Sequence, residues 1–443
     1  NDPYYGSAWY FDAVNAPSAW NTTTGSSSVT VAVIDTGFAL AHQDLAAHWH
    51  YNSGEQGGGK DTNGVDDDGN GYIDDYLGWD FVPYTYVNDP GDNNPQAGVD
   101  DPNGEGTSHG TETSGLVGAV GDNGIGTTAI SRDVSVMPLQ VIDDSGSGYS
   151  DDVAEAIYYA VDNGADVINM SLGTSGNDPT VEAAVEYAYD NNVVVVAAAG
   201  NCGNPGSDGP CTGQVTGYIT FPANNDKVIA VGATTSSNAR ASFSSYGERL
   251  DIVAPGSGSI VSPTWVNGNG TSAYATQLYG TSYASPITAS TAALIKSVRP
   301  SSSVDDVRAL LMASTQQLGG LFYTTSYGHG LLNVSKAVTI AGALNSDEDT
   351  PVLAQSGTVR GGGLYAGSDT ISSGCEVGVS TWCTVWLRNA SAHYERYLPY
   401  TDVGGDGKAG WHFSSAALNH GEWEVRARQG ELVSDTPYFF FRK

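Results

Sequence analysis

The chain has 443 residues, 40% hydrophobic and 15% charged, which is the composition of a globular protein with room for two domains. Its 17 basic and 49 acidic residues give a formal net charge of −32. Because phosphates require cations, this balance argues against nucleic acid and anionic membranes as partners. Cation-binding loops or adaptation to salt would each explain the acidity. Strong like charge opposes self-association, so we expect a monomer.

The four cysteines lie in two local pairs, Cys202 with Cys211 and Cys375 with Cys383. Three pairings are possible, and local pairing is the simplest. No Cys-x-x-Cys motif is present, so disulfides are favoured over metal binding, and they indicate an oxidising compartment. No apolar run is long enough to span a bilayer. The chain starts at Asn1 without Met or a signal segment, and we expect a processed, secreted protein.

The first strong element is an apolar strand, Thr30 to Asp35, that ends in an acid. An acidic loop follows, in which oxygen-bearing residues alternate as they do in calcium-binding loops. Its candidate ligands are Asp66, Asp68, Asn70, the carbonyl of Tyr72, and Asp74. Leu77 stands where such loops carry a closing Glu, so the loop is partial. The alternative is a solvated acidic turn, but carboxylates packed without a cation would repel one another.

Strands then alternate with helices. His109 opens a helix to about Val120, and helices are also predicted over 151–163 and 179–191. Apolar strands are predicted over 135–141, 167–172, 193–201 and 228–233, and the third has Asn201 at its end. This alternation predicts an α/β fold, a parallel sheet with helices on both faces, over residues 25–341.

Ser282 lies in the segment Tyr279 to Pro286, just before an apolar run that predicts a helix. Pro286 is expected in the first helical turn, where its missing N–H has no cost. A serine at a helix N-terminus is either a capping residue or a nucleophile whose oxyanion the free N–H groups stabilise. The order Asp35, His109, Ser282 favours the nucleophile.

These three segments, in this order, resemble the subtilisin-like serine protease family, and the resemblance covers about residues 1–341. It implies a catalytic triad of Asp35, His109 and Ser282, with Asn201 as the side-chain donor to the oxyanion. The implied function is that of a secreted, calcium-stabilised serine endopeptidase acting on proteins or peptides. Two residues depart from the common family pattern: Glu112 replaces His or Arg, and Tyr283 replaces Met.

The resemblance also implies where a substrate binds. One side would be an extended segment that pairs with the substrate backbone, and the other would be the walls of a specificity pocket. The implied residues are Gly146, Ser147, Gly148, Ser171, Leu172, Gly173 and Thr220. Thr220 stands where the family often has Gly, which predicts a shallow pocket for small to medium apolar side chains.

Calcium is the one cofactor that the resemblance implies. The arm Asn1-Asp2-Pro3-Tyr4 is similar to that of thermitase-like members, in which the acid ligates calcium together with a second acid. The implied ligands are Asp2, Asp44, the side chain of Asn123, and the carbonyls of Val120, Ile125 and Thr127. A further site is implied at Asp80, with Asp89 and Asp92 as weaker candidates.

Residues 342–350 are small and acidic, as in a linker, and separate the catalytic domain, 1–341, from residues 351–443. The last segment has short alternating stretches and four tryptophans, which predict a small antiparallel β-sandwich-like domain. We favour core packing over polymer binding for its aromatic residues. Two other functions remain: a processing protease specific for basic residues, and an inactive binding protein on a protease scaffold.

Overall fold

A computed structural model describes most of the chain. The described residues are 1–82, 91–98, 107–207, 209–266, 270–344, 352–354, 364–365, 370–376, 382–389, 394–402, 408–414, 418, 421–429, 432–433 and 438–442. Asp89 and residues 345–350 of the predicted linker, 342–350, lie outside these residues.

Seven parallel strands form the central sheet, in the order β2-β3-β1-β4-β5-β6-β7. Their bounds are β1 Thr30–Asp35, β2 Trp79–Asp80, β3 Ser135–Gln140, β4 Val167–Met170, β5 Val194–Ala198, β6 Val228–Thr234 and β7 Ile252–Pro255. The order reverses at β1, which has β3 on one side and β4 on the other. Open α/β sheets bind their ligands at such a switch point, beyond the carboxyl ends of the strands.

The helices are α1 Tyr10–Ala13, α2 Ala16–Ala19, α3 His109–Gly118, α4 Ser150–Asp162, α5 Pro179–Asp190, α6 Thr281–Val298, α7 Val304–Ala313 and α8 Val334–Ala343. The local sequence explains where several of these helices begin. Asp178 caps α5 by accepting from two backbone N–H groups, and Pro179 occupies the first helical turn. Ser303 and Asp306 form a capping box at α7. In the described residues, no helix is long and apolar enough to cross a membrane.

Helices cover both faces of the sheet because successive residues of a buried strand point to opposite sides. In β1, Val31 and Val33 pack in the same cluster as α3 and α6. Ala32 and Ile34 pack in the cluster that holds α4 and α5. The predicted α/β fold is therefore confirmed, and every residue of β1 is buried.

An antiparallel hairpin, β8 Ser257–Thr264 with β9 Ala273–Tyr279, precedes α6. Beyond α8 the described strands form two further, mainly antiparallel sheets, β10-β12-β16 and β11-β19-β17-β13-β14. Their bounds are β10 Val352–Ala354, β11 Leu364–Tyr365, β12 Thr370–Glu376, β13 Trp382–Asn389, β14 Tyr394–Tyr397, β15 Thr401–Asp402, β16 Lys408–Ser414, β17 Gly421–Gln429, β18 Leu432–Val433 and β19 Tyr438–Arg442. Trp411 and Trp423 are buried, as core packing requires.

This C-terminal β region contacts α7 and the segment after it. The Tyr400 N–H donates to the carbonyl of Ala313, 2.9 Å away. The Tyr397 N–H donates to Nε2 of His329 at 3.0 Å, and Nδ1 of that buried imidazole lies 2.9 Å from the Asp251 carbonyl. The position of the domain boundary stays a prediction.

One local expectation is wrong. Pro286 lies at the sixth residue of α6 rather than in its first turn. A proline there cannot donate to the carbonyl four residues earlier, which belongs to Ser282. The hydroxyl of Ser171 donates to that carbonyl instead, at 2.8 Å. The sequence showed the proline but not the substitute donor, which directly follows β4 and is distant in the chain.

Candidate active site

Asp35 and His109 form the central contact of the site. Oδ1 of Asp35 lies 2.6 Å from Nδ1 of His109. The carboxylate is fully buried and also accepts from the Thr36 N–H and the Thr113 hydroxyl, at 2.7 and 3.1 Å. Burial lowers the pKa of His109, but the charge and hydrogen bond of Asp35, with a contribution from Glu112, outweigh it, so the net pKa is raised.

The backbone brings these two side chains together. Asp35 is the last residue of β1, and His109 is the first of α3. Gly110 permits the close approach, since a Cβ there would lie 2.3 Å from the Thr36 carbonyl oxygen. Its N–H donates to the Thr36 hydroxyl at 2.8 Å, which fixes the start of α3 against the end of β1.

Ser282 is the second residue of α6, in the first turn of that helix. Its hydroxyl donates to the Ser171 carbonyl at 3.2 Å, while the Ser171 hydroxyl donates to the Ser282 carbonyl. These reciprocal bonds join the residue after β4 to the start of α6. In this resting arrangement the Ser282 hydroxyl is directed to Ser171 rather than to His109.

Asn201, which follows β5, is held by its carbonyl oxygen. Oδ1 accepts from both the backbone N–H and the hydroxyl of Thr281, each at 3.1 Å. The Thr281 hydroxyl in turn accepts from the Gly200 N–H at 3.1 Å. Because Oδ1 is used in this way, the amide nitrogen is the atom left to act as a donor in the cavity beside Ser282.

Two cavities meet at Ser171, Leu172 and Gly173. The first, of about 230 Å³, lies beside Ser282 and Asn201 and is also lined by Thr220. The second, of about 430 Å³, has Gly146, Ser147 and Gly148 on its opposite side. All seven residues predicted to bind substrate therefore line one cavity or both.

The Cys202–Cys211 disulfide is confirmed, with a Cα–Cα distance of 5.1 Å, and Cys211 lines the smaller cavity. Cys383 is also disulfide-bonded, but the side chain of Cys375 is outside the described residues. Thr220 is buried against Gly173, and its hydroxyl has no hydrogen-bond partner. This hydroxyl lies at the wall of the smaller cavity, which is the pocket that Thr220 was predicted to make shallow.

Glu112 and Tyr283 form a buried pair that the sequence did not reveal. The Tyr283 hydroxyl donates to Oε2 of Glu112 at 2.7 Å, and the Tyr283 ring centroid lies 5.8 Å from that of His109. Oε1 of Glu112 accepts from the hydroxyls of Ser108 and Thr264, at 2.9 and 2.7 Å. Burial and the Glu112 carboxylate both raise the pKa of Tyr283. The signal available was that both positions depart from the family pattern.

The N-terminal arm and Asp44 converge on the loop 120–127. Asp2 accepts from the N–H groups of Asp122 and Gly124, at 2.9 and 3.0 Å. Asp44 is fully buried and accepts from the Asn123 amide and the Thr127 N–H, at 2.8 and 2.9 Å. Burial raises the pKa of the Asp44 carboxyl, although these donors oppose the shift. Two carboxylates at one loop of carbonyls suit a hard cation such as Ca²⁺.

The acidic loop is arranged differently from the predicted alternation. Asp66 and Asp68 come together with Glu55, which the sequence analysis did not single out. Oδ1 of Asn70 accepts from the Tyr72 N–H at 2.8 Å. The Asp74 carboxylate instead accepts from backbone N–H groups of residues 63 and 64.

Tyr72 packs its ring at 5.0 Å from that of Trp79. Asp80 ends β2, where its carboxylate accepts from the Val82 N–H at 2.8 Å and its backbone pairs with that of Asp92. The Asp92 carboxylate accepts from the Asn94 N–H, also at 2.8 Å. Asp80 and Asp92 thus meet through their backbones.

Comparison with known proteins identifies the class. Residues 26–330 match the Subtilase family of peptidases. Thermitase of Thermoactinomyces vulgaris is 34% identical over 340 residues, which are 76% of this chain and 98% of thermitase. Subtilisin DY of Bacillus licheniformis is 43% identical over 235 residues, 53% of this chain and 79% of that protein. A solved structure titled as proteases from Pseudoalteromonas arctica PAMC 21717 has a TM-score of 0.61 at 30% identity, covering 77% of this chain and 99% of its own.

The chain belongs to the subtilase family. Its activity is that of the family, a serine endopeptidase that hydrolyses proteins. The resemblance predicted from the ordered Asp, His and Ser segments is therefore confirmed.

Proposed function

We propose that this endopeptidase cleaves peptide bonds with Ser282 as the nucleophile, His109 as its general base and Asp35 as the group that orients the imidazole. The observation that carries the proposal is the 2.6 Å contact between Nδ1 of His109 and buried Asp35. This contact leaves Nε2 of His109 as the proton acceptor. The alternative of an inactive binding protein lacks support, since such a protein has no need of this arrangement.

Formation of the acyl-enzyme then involves two proton transfers. The Ser282 hydroxyl turns from Ser171 to His109, gives up its proton and attacks the scissile carbonyl. The oxyanion is stabilised by the Asn201 amide and the backbone N–H of Ser282. The imidazolium, held by Asp35, donates its proton to the leaving amine, and water releases the acyl group by the reverse sequence.

An active-site-directed phosphofluoridate tests this assignment. Mass spectrometry of the treated protein should find the label on Ser282, and Ser282→Ala should lose both label and peptide hydrolysis while keeping its circular dichroism spectrum. The matched control is Ser175→Ala, an exposed serine, which should behave as the wild type. Peptide hydrolysis in purified Ser282→Ala would rule out the proposed nucleophile.

For the substrate, the proposal is an extended peptide with a small to medium apolar residue on the acyl side of the scissile bond. The Thr220 side chain lines the smaller cavity and should make it shallow. No carboxylate among the described residues lines this cavity. A processing protease specific for Arg or Lys would need such a carboxylate. A peptide-library cleavage profile distinguishes the two functions: strong selection for Arg or Lys at that position would favour the processing protease.

Calcium is proposed as a stabilising ion rather than a participant in the chemistry. The ion would be held by Asp2, Asp44, Asn123 and the carbonyls of the 120–127 loop. It would thereby fix the N-terminal arm to this loop. An ion that binds only the folded state raises stability by mass action. Chelation, with metal loss shown by elemental analysis, should lower the melting temperature of Ser282→Ala, and Asp44→Asn should reduce that response. An unchanged melting temperature would contradict the proposal.

Secretion and a monomeric state complete the proposal. The Cys202–Cys211 disulfide supports an oxidising environment, and the net charge of −32 opposes self-association. Sedimentation velocity of Ser282→Ala tests the second point, and a dimer at micromolar concentration would contradict it.

A further inference from the structure

A group of three carboxylates lies away from the active site, in the loop between β1 and β2. One oxygen from each of Glu55, Asp66 and Asp68 lies within 4.8 Å of the other two. Calcium–oxygen distances are about 2.3–2.6 Å, so an ion placed among these oxygens could touch all three. An acidic cluster alone would not identify a site, because exposed carboxylates often lie together on a solvated surface.

Glu55 distinguishes this cluster from such a surface. Its side chain is fully buried, at 0% exposure. Oε1 accepts from the N–H groups of Asp67 and Asp68, at 2.7 and 3.2 Å. Oε2 is buried without any hydrogen-bond partner. A buried carboxylate oxygen with no partner is energetically costly, and a bound cation is one means of compensating it.

The surrounding residues hold the three carboxylates in place while leaving room for an ion. Asp66 accepts from the N–H groups of Gly69 and Gly71, at 2.7 and 2.9 Å. Asp68 accepts from the Asn52 amide at 2.9 Å. Gly54 permits Asp68 to pack closely, since a Cβ there would lie 2.4 Å from the Cβ of Asp68.

The positive charge nearest in sequence is used elsewhere. Nζ of Lys60 donates to the Gly54 carbonyl at 2.9 Å and lies 4.0 Å from Asp67, outside the three-carboxylate group. Ligands that are all oxygen favour a hard cation over zinc or copper. A site with several carboxylates suits Ca²⁺, whose coordination geometry is variable, better than Mg²⁺, which requires a near-ideal octahedron.

We propose that Glu55, Asp66 and Asp68 form a calcium site that closes the loop 52–77. It is independent of the proposed catalytic roles, because none of its residues touches Asp35, His109 or Ser282. Asp75 at the end of this loop accepts a 2.6 Å hydrogen bond from Tyr159 on α4. An ion bound by Glu55, Asp66 and Asp68 would join the start of the loop to its middle, while Asp75 fixes its end to the domain.

Limited trypsin digestion of the full chain carrying Ser282→Ala tests the site, since Lys60 lies inside the loop. Cleavage after Lys60, followed by mass spectrometry, is compared with and without calcium after chelator treatment. Calcium at 100 times its dissociation constant should slow this cleavage about 100-fold, by mass action on the opened loop. Glu55→Gln and, independently, the exposed-site variant Asp68→Asn should lose the protection.

Asp67→Asn is the matched control, because it removes the same charge from the same loop while the Asp67 side chain lies outside the three-carboxylate group and its N–H bond to Glu55 is kept. It should keep the calcium protection, and so should Asp44→Asn, which alters the other proposed calcium site. The proposed site would be ruled out if calcium slowed cleavage after Lys60 equally in Glu55→Gln, in Asp68→Asn and in the parent Ser282→Ala protein. Equal protection by magnesium at the same concentration would overturn its assignment to calcium.

Discussion

Tyr283 donates a 2.7 Å hydrogen bond to Glu112, so the residue after the proposed nucleophile is tied to the helix that begins at His109. Glu112 is buried, and within the described part of the chain the donors to its two side-chain oxygens are neutral hydroxyls. Its charge also acts on His109, whose pKa it helps to raise. The pair thus connects two sides of the active site through one carboxylate.

Glu112→Gln should move the acid limb of the pH profile of kcat/KM to lower pH. Removing this negative charge removes one cause of the raised pKa of His109, so the neutral, basic imidazole persists at lower pH. The conservative control is Tyr283→Phe, which keeps the charge and removes one hydrogen bond, and it should leave the acid limb closer to that of the wild type. A profile unchanged in Glu112→Gln would show that its charge does not reach His109.

Peroxide should inactivate this enzyme slowly. In most members of the family a methionine follows the nucleophile, and its oxidation places a polar sulfoxide beside the oxyanion. Here that position is Tyr283, and Met137, Met170 and Met312 are all buried. Tyr283→Met should make activity fall rapidly in the same peroxide dose. If the native enzyme loses activity as fast as Tyr283→Met while mass spectrometry finds Met170 unmodified, the explanation from Tyr283 is wrong.

Asn201→Ala should reduce kcat by about 10²–10³ with little change in KM, the loss already known for the corresponding donor of subtilisin. The amide acts on charge that develops only in the transition state, which is why the effect falls on kcat. Thr281→Val, which removes the hydroxyl that orients Oδ1, should cost less, while Thr281→Ser should stay near the wild type. Steady-state kinetics on one peptide measure all three, and a loss confined to KM would contradict the role.

Because of His329, the free energy of unfolding should decrease as the pH is lowered from about 6.5 towards 3. Burial, with the nearby charges of Arg396 and Arg308, lowers the pKa of His329 to about 3, although its bond to the Asp251 carbonyl opposes the shift. The unfolded chain therefore binds more protons than the folded one in this range, and the free energy of unfolding rises with pH. Protonation would also remove Nε2 as the acceptor for the Tyr397 N–H.

Denaturant unfolding of Ser282→Ala across this range measures the effect, with Ser282→Ala plus His329→Asn as the comparison. The double variant should be less stable at neutral pH, and its stability should depend less steeply on pH. Parallel curves for the two proteins would show that His329 is not responsible.

Much of the fold could be predicted because it depends on local patterns. Buried parallel strands read as continuous apolar runs, and α5 begins at the predicted Pro179. The strands and helices need only local patterns, which the sequence carries. The seven predicted substrate-binding residues were implied by the family resemblance instead, and six of them lie in the segments after β3 and β4, whose carboxyl ends meet at one edge of the parallel sheet.

Pairings between distant side chains could not be predicted in the same way. Glu112 and Tyr283 are 171 residues apart, and the polarity of each is explained only when α3 and α6 are packed together. Glu55 has no neighbouring motif, and only burial of its carboxylate shows that it differs from other surface acids. Asn70 and Asp74 fit a ligand pattern, yet the group of three carboxylates that the structure brings together contains Glu55 and neither of these two residues.

The reciprocal bonds between Ser171 and Ser282 link substrate recognition to activation of the serine. Pro286 leaves the Ser282 carbonyl without a helical donor, Ser171 supplies one, and the Ser171 carbonyl in return holds the resting hydroxyl. Turning that hydroxyl to His109 exchanges one neutral hydrogen bond for another, a difference of about 1 kcal/mol or less. A difference of this size would make the resting rotamer at most about fivefold more populated than the reactive one, so it would slow acylation by less than about tenfold.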